Sequence, residues 1–296
     1  MRRALIAFSG AIILITPIPS LAGSCGDVDN SGSINILDIT YLLRYLYKSG
    51  SEPNCGTSYA GLCGDVNNNG FINILDAAYL INHIYKGGPG PYCGGTGIVT
   101  DIDGNIYKTI KIGDQWWMAE NLKVTHYRDN SPIPNVTDLH IWENLVTGAY
   151  CEYDNDPENG EIYGSLYNWY AVADIREIAP EGWHVSTASE WNVLRDYLGG
   201  SQVAGGKLKD TGTAYWCEPN EGATNESGFT GLPGGFRMSS GGYDNMCIWA
   251  MFWSSTYSDG NGVMWECLYS SEPSLGSGYY DMNGGMSVRC VEDAED

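Results

Sequence analysis

The sequence predicts two domains: a small all-α duplication of one loop and one helix, then an α+β domain with long loops. Three observations predict this. Residues 25–38, CGDVDNSGSINILD, return at 63–76 as CGDVNNNGFINILD, and the same spacing links Tyr41 to Tyr79 and Cys55 to Cys93. Such a repeat means two copies of one supersecondary unit that bury their apolar faces against each other. All 10 tryptophans lie after residue 115, so composition divides the chain near the flexible joint Gly94-Gly95-Thr96-Gly97. Helical periodicity before that joint gives way after it to alternating runs, one capped helix and Gly-, Ser- and Asn-rich stretches. The expected layout is a leader at 1–22, the duplicated unit at 23–93, a linker at 94–97, the second domain at 98–293 and a tail at 294–296.

The duplicated loop carries metal chemistry. With Asp27 as position 1, Asp29 stands at 3, Ser31 at 5, Ser33 at 7, Asn35 at 9 and Asp38 at 12, and Gly32 sits at 6 where the loop must turn sharply. This is the EF-hand ligand spacing, with Asp in place of Glu at 12. The second copy offers Asp65, Asn67, Asn69, Phe71 through its backbone carbonyl, Asn73 and Asp76, with Gly70 at the turn. A hard cation needs several oxygens converging at ~2.3–2.6 Å, and alternate residues of a tight loop supply them. The pattern therefore predicts two calcium ions, one per loop. Loop one offers three carboxylates and loop two offers two, so loop one should bind more tightly.

One helix follows each loop. Ile39, Leu42, Leu43 and Leu46 fall on one face of the first, and Ala77, Leu80, Ile81 and Ile84 on one face of the second. Lys48 with Gly50, and Lys86 with Gly87, provide C-terminal charge and cap. No helix precedes either loop, because Cys and Gly stand directly in front. A loop with only its exiting helix resembles a dockerin, the calcium-binding module that plugs enzymes and adhesins into cohesin domains. The resemblance covers residues 25–93 and implies a cohesin-like partner. It departs at loop positions 10 and 11, which are Ile36-Leu37 and Ile74-Leu75. Well-known cellulosomal dockerins usually carry a hydroxyl residue there that helps choose the cohesin.

The N-terminus reads as a secretory signal, with Arg2 and Arg3 before the apolar stretch Ala4 to Ile15 and a small-x-small site at Ser20-Leu21-Ala22. The apolar stretch is too short for a stable membrane span, so the chain is not expected to cross a membrane. Leu21-Ala22-Gly23-Ser24 loosely resembles a lipidation motif ahead of Cys25, but its Leu is one position early. Cys25 also has a twin in Cys63, and one structural role accounts for both. The formal charge of −21 argues against nucleic acid and anionic membrane surfaces, and suits a secreted protein that meets calcium outside the cell.

Secretion favours disulfides among the nine cysteines. In a pseudo-twofold pair of antiparallel helices each loop start lies near the end of the other helix. That favours Cys25–Cys93 and Cys55–Cys63 among the three pairings these four allow. Cys151, Cys217, Cys247, Cys267 and Cys290 are odd in number, which leaves at least one thiol outside any intrachain pair.

In the second domain, Ile98 to Ile102 leads into an Asp103-Gly104 hairpin turn and a strand over 106–112. Gly113-Asp114 turns the chain into QWWMAENL at 115–122. LYNWYAVADI (166–175) predicts a helix. GWHVSTASEWNVLRDYLGG (182–200) predicts a clearer one, with Thr187 as N-cap, Glu190 completing a capping box, and Trp191, Leu194 and Leu198 facing the core. After residue 201 long loops feed short strands.

WWMAENL, YGSLYNWYA, APEGWHVSTASEW, GGKLKDTG, NESGFTGLPGGFR, FWSST and SVRCVED together resemble the Fibrobacter succinogenes major paralogous domain, over almost all of 98–293. That resemblance implies a C-type-lectin-like fold and no established enzymatic activity. GWHVSTASEW with SVRCVED also echoes the more distant formylglycine-generating enzymes, so an enzyme of that superfamily is the alternative reading. Those enzymes need two reactive cysteines in a defined context. Cys247 and Cys267 lack it, and a disulfide explains them more simply. The four histidines show no zinc spacing, and no GxSxG or P-loop occurs. No catalytic residue is expected.

Binding remains. Glu218-Pro219-Asn220 matches the tripeptide that holds calcium and sugar in mannose-type C-type lectins, but the Trp-Asn-Asp partner tripeptide is missing. Asn225-Glu226 beside Gly228 is another candidate oxygen cluster, for a further structural calcium. Trp249, Trp253 and Trp265 are candidates to stack on sugar faces, while Trp116, Trp117, Trp183 and Trp191 read as core. The chain thus reads as a secreted calcium-binding protein whose second domain presents loops to a glycan or protein, with a structural adhesin or surface component as a further alternative.

Overall fold

The computed structural model describes residues 26–54, 63–67, 72–88, 90–91, 96–258 and 262–294. The predicted leader (1–22), Cys25, Cys55, Cys93, Asn69, Phe71 and residues 94–95 lie outside these.

In the first part the regular elements among the described residues are α1 (Ile36–Lys48) and α2 (Ile74–Lys86). Both start alike. Asn35 and Asn73 are the N-caps, each accepting from the amide two residues on, and Asp38 and Asp76 complete capping boxes from the third helical position. α2 ends on left-handed Gly87 as predicted, whereas the left-handed residue closing α1 is Ser49, one before Gly50. The two helices share one core of twins from the repeat: Val28 and Val66, Ile39 and Ala77, Leu42 and Leu80. Gly26, just before loop one, lies where an added Cβ would sit 3.2 Å from Leu80; its twin Gly64 lies 3.0 Å from Leu42 by the same measure. Each loop start therefore rests on the opposite helix, which is the pseudo-twofold arrangement the repeat implies. Cys63 is buried in this core.

The second part is α+β. Its elements run β1 (Thr96–Thr100), β2 (Ile106–Ile112), β3 (Gln115–Met118), α3 (Leu139–Trp142), β4 (Tyr150–Cys151), α4 (Pro157–Tyr163), β5 (Leu166–Asn168), α5 (Trp169–Val172), β6 (Trp183–Val185), α6 (Ala188–Tyr197), α7 (Ser201–Leu208), β7 (Phe236–Arg237), β8 (Tyr243–Asp244), β9 (Trp249–Ser258), β10 (Gly262–Tyr269), β11 (Glu272–Tyr280), β12 (Gly285–Met286) and β13 (Cys290–Glu292). Thr96-Gly97, predicted as half of the joint, already belongs to strand β1. One sheet has the order β1-β2-β3-β13-β6, so the C-terminal strand inserts beside the opening hairpin. A three-stranded sheet, β11-β10-β9, and a third of order β4-β5-β12-β7-β8 complete the domain.

Two apolar cores flank the β9–β10 ribbon. Met251, Trp253 and Cys267 belong to one; Ala250, Phe252 and Leu268, on the alternate positions, belong to the other with Trp117 and Trp191. The capped helix lies where predicted, with Thr187 and Glu190 exchanging hydrogen bonds and Trp191 and Leu194 buried. LYNWYAVADI departs from its predicted helix. Leu166–Asn168 pair with β4 and β12 as a strand, and Asn168 then caps a helix of only four residues. Among the described residues no helix is long and apolar enough to cross a membrane.

Candidate metal centres

Loop one is organised by its carboxylates. Asp27 Oδ1 accepts from Ser31 N at 2.8 Å, and its Oδ2 accepts from Gly32 N at 2.7 Å. Gly32 has φ +89, a conformation most side chains resist, and that places its amide under Asp27. Asp38, carried on the first turn of α1, accepts from Asn35 N at 2.8 Å and Asp29 N at 3.4 Å. Positions 1 and 12 thus fold the loop onto itself. One carboxylate oxygen from each of Asp27, Asp29 and Asp38 lies within 4.8 Å of the others.

Loop two repeats the frame where it is described. Asp76 accepts from Asn73 N at 2.8 Å and Asn67 N at 3.3 Å, the counterparts of the two bonds to Asp38. Asp65 is buried like Asp27, and Asp76 like Asp38.

The residues fit a hard divalent cation. All the donors are oxygens, Asp27 and Asp38 are fully buried, and among the described residues no lysine or arginine bridges them. Burial lifts the Asp38 and Asp76 carboxyls above an ordinary aspartate, and neighbouring Asp29 and Asp27 lift Asp38 further. Buried, mutually repelling carboxylates are costly unless a cation joins them. Ser31 Oγ and the Ser33 carbonyl stand in the same loop, 3.4 Å apart. Asn35 and Asn73, at the ninth loop position, also cap the helices: their side-chain oxygens accept from Leu37 N and Leu75 N.

The second domain handles its candidate residues differently. Trp253 is fully buried and donates Nε1 to Tyr167 O, which removes it as a stacking platform. Trp249 and Trp265 are half-buried against the same core, Trp249 stacked on Phe236. All three sit in the β9–β10 ribbon, so their strand register turns them inward. Asn220 is buried and donates to Asp210 O and Gly212 O, bracing a turn, while Glu218 is exposed. Asn225 bonds Thr230 through both amide atoms, and the exposed Glu226 pairs with Lys207.

The sequence left the pairing of the five later cysteines open; Cys247 is bonded to Cys217. Cys151, Cys267 and Cys290 are buried thiols, and burial pushes each above an ordinary cysteine, away from the reactive thiolate. His184 lies between Glu190, at 2.7 Å, and Asp293, at 2.6 Å, and these carboxylates raise it to about 8.

Sequence reasoning missed the buried cations. Arg289 donates to Asn121 Oδ1, Met118 O, Phe229 O and Thr230 O; Arg237 donates to Gly241 O, Val136 O and Thr137 O; Lys209 Nζ donates to Glu221 O, Tyr269 O and Glu272 O. Each ties loops to strands through backbone carbonyls. Such partners leave no mark in a sequence, although Arg289 does lie within SVRCVED.

These two parts define the class: a modular protein in which a loop-and-helix duplication with carboxylate-lined loops precedes an α+β domain. Compared with models of known families, residues 25–84 and 63–106 match the dockerin type I domain, and residues 110–292 match the Fibrobacter succinogenes major domain. The chain belongs to the Fibrobacter succinogenes major domain family and carries a dockerin type I domain ahead of it. Dockerin type I domains bind calcium in general and take cohesins as partners. No curated protein and no solved structure matches the chain.

Proposed function

We propose that this is a secreted, non-catalytic protein whose dockerin region, residues 23–93, binds two calcium ions and tethers the domain at 98–293 into an extracellular assembly. The observation that carries the reading is the meeting of Asp27, Asp29 and Asp38 in a buried cluster, within a frame that loop two repeats. Asp27, Asp29, Ser31, Ser33, Asn35 and Asp38 would hold the first ion. Asp65, Asn67, Asn73 and Asp76, with Asn69 and Phe71 from outside the described residues, would hold the second. Calcium supplies charge that offsets the buried carboxylates. The chain's own contribution is the pair of capping boxes that aim Asp38 and Asp76 into the loops.

The partner surface follows from the same duplication. Ile36, Leu37 and Tyr47 on α1, and Ile74, Leu75 and Tyr85 on α2, are all exposed. Ile36-Leu37 and Ile74-Leu75 stand at the loop positions where a hydroxyl residue would be expected, so apolar contact would select the cohesin-like partner. Exposed apolar positions repeated on two helices suit docking better than solvent. The second domain then presents its loops to a glycan or protein ligand, in keeping with a C-type-lectin-like, carbohydrate-related role.

The test is binding of the full chain to immobilised type I cohesins, in calcium and again in chelator. Calcium-dependent binding that Leu37→Asp with Leu75→Asp abolishes supports the reading. Equal binding in chelator, or none to any cohesin tested, contradicts it.

A further inference from the structure

We infer that the cleft between α6, α7 and the end of β2 is a binding site for one neutral pyranose ring of a glycan. The inference rests on the proposal that this domain presents a ligand surface, and names the site and the ligand chemistry. The cleft has a volume of about 310 Å³, at the small end of ligand pockets and suited to a single ring.

Its platform is Tyr197, the last residue of α6, which is 59 % exposed. This ring does not swing freely. It lies on the Gly113 turn, where an added Cβ would sit 3.0 Å from ring Cδ2, and Gly113 has φ +63. Only glycine permits both the turn and the close approach. An exposed tyrosine braced on a turn offers ring surface for the C–H face of a sugar, with Leu198 and Ile112 extending the apolar wall.

The polar side is a paired donor and acceptor. Lys207 Nζ and Glu226 Oε1 are 2.8 Å apart and both remain substantially exposed. Such a surface pair adds little stability, so holding the fold together does not account for it. A neighbouring ammonium and carboxylate match two vicinal hydroxyls, one accepting and one donating.

The loop that carries Glu226 is fixed in advance. Ser227 Oγ donates to Lys207 O at 2.8 Å, and Asn225 accepts from Thr230 N at 2.9 Å. A preformed arrangement lowers the ordering cost of binding. Neutral sugar is favoured over an acidic one because Glu226 faces the ligand and the whole chain carries −21.

The experiment is calorimetric titration of the full chain with cellohexaose, xylohexaose and mannohexaose, and with trigalacturonate as the acidic probe. At least one neutral oligosaccharide should bind and trigalacturonate should not. Tyr197→Ala and Glu226→Gln should each weaken binding by about tenfold or more, and Tyr197→Phe should retain it, since stacking rather than the hydroxyl is used. Glu226 is exposed, so Glu226→Gln decides the matter if Tyr197→Ala fails to fold. Neutral-sugar binding that both variants leave intact would overturn this site while leaving a glycan role elsewhere on the domain. Preference for trigalacturonate would overturn the ligand class. No binding to any neutral oligosaccharide would overturn the inference and leave a protein ligand as the domain's target.

Discussion

Replacing Arg289 with Met tests how the second domain is held together. The guanidinium is fully buried and donates to Asn121 Oδ1 at 2.6 Å, Phe229 O at 2.7 Å, Met118 O at 2.8 Å and Thr230 O at 3.0 Å, with the Phe229 ring 4.2 Å below it. It therefore joins the end of β3, the 229–230 loop and the approach to β13. Met keeps most of the volume but leaves four buried acceptors without this donor, at roughly 1–3 kcal/mol each. Against this, a cation leaves a site where burial depresses its pKa, which recovers several kcal/mol. The net expectation is a loss of about 3–5 kcal/mol, at the high end for a single substitution. For a domain near 200 residues that is roughly a 10 °C fall in midpoint. Tryptophan fluorescence reports this domain alone, because all 10 tryptophans follow residue 115. A loss below about 1 kcal/mol would show that the four carbonyl and amide contacts do not hold the loops, and the reasoning would fail.

Three further expectations follow from the same structure. Asp27→Ala with Asp65→Ala should abolish calcium uptake and cost the first module the ~2.7 kcal/mol per site that calcium at 100 times Kd supplies, with helix loss in circular dichroism and unchanged tryptophan fluorescence. Leu37→Asp with Leu75→Asp should leave calcium uptake intact in calorimetry while removing partner binding, because both side chains point to solvent. His184 is raised to about 8 by Glu190 and Asp293, so its contribution is complete below pH 6.5 and lost as pH rises through 8. The side chain is 37 % exposed, so solvent screening holds the effect to about 1 kcal/mol. A His184→Gln variant should flatten that slope in unfolding curves taken between pH 6 and 9.

The first module was legible because its determinants are local. Ligand spacing, the turn glycine, the N-caps and the apolar stripe all sit within about two dozen residues of each other, and the repeat states them twice. Asn35 and Asn73 share the loop register and also cap the helices. The second domain was legible where chemistry is local, as at Thr187 and Glu190, and obscure where tertiary contact decides. α7 contains Gly205 and Gly206, poor helix formers, yet an added Cβ there would fall 1.9 Å from Ser274 O and 2.3 Å from Gly222 O. Close packing against β11 requires the glycines, and the helix forms because that contact outweighs propensity. Trp253 and Trp265 read as candidate stacking residues in a loop-rich end, but β-pairing across the ribbon turns them inward. The partner of Cys247 depended on a contact 30 residues away in sequence.

Calorimetric titration of the calcium-stripped full chain with calcium, paired with circular dichroism in chelator, tests the central claim most directly. The account predicts two ions per chain, with loop one the tighter, and a gain of helix on calcium addition that tryptophan fluorescence does not follow. Uptake of no calcium, or helix content identical with and without chelator, would contradict it.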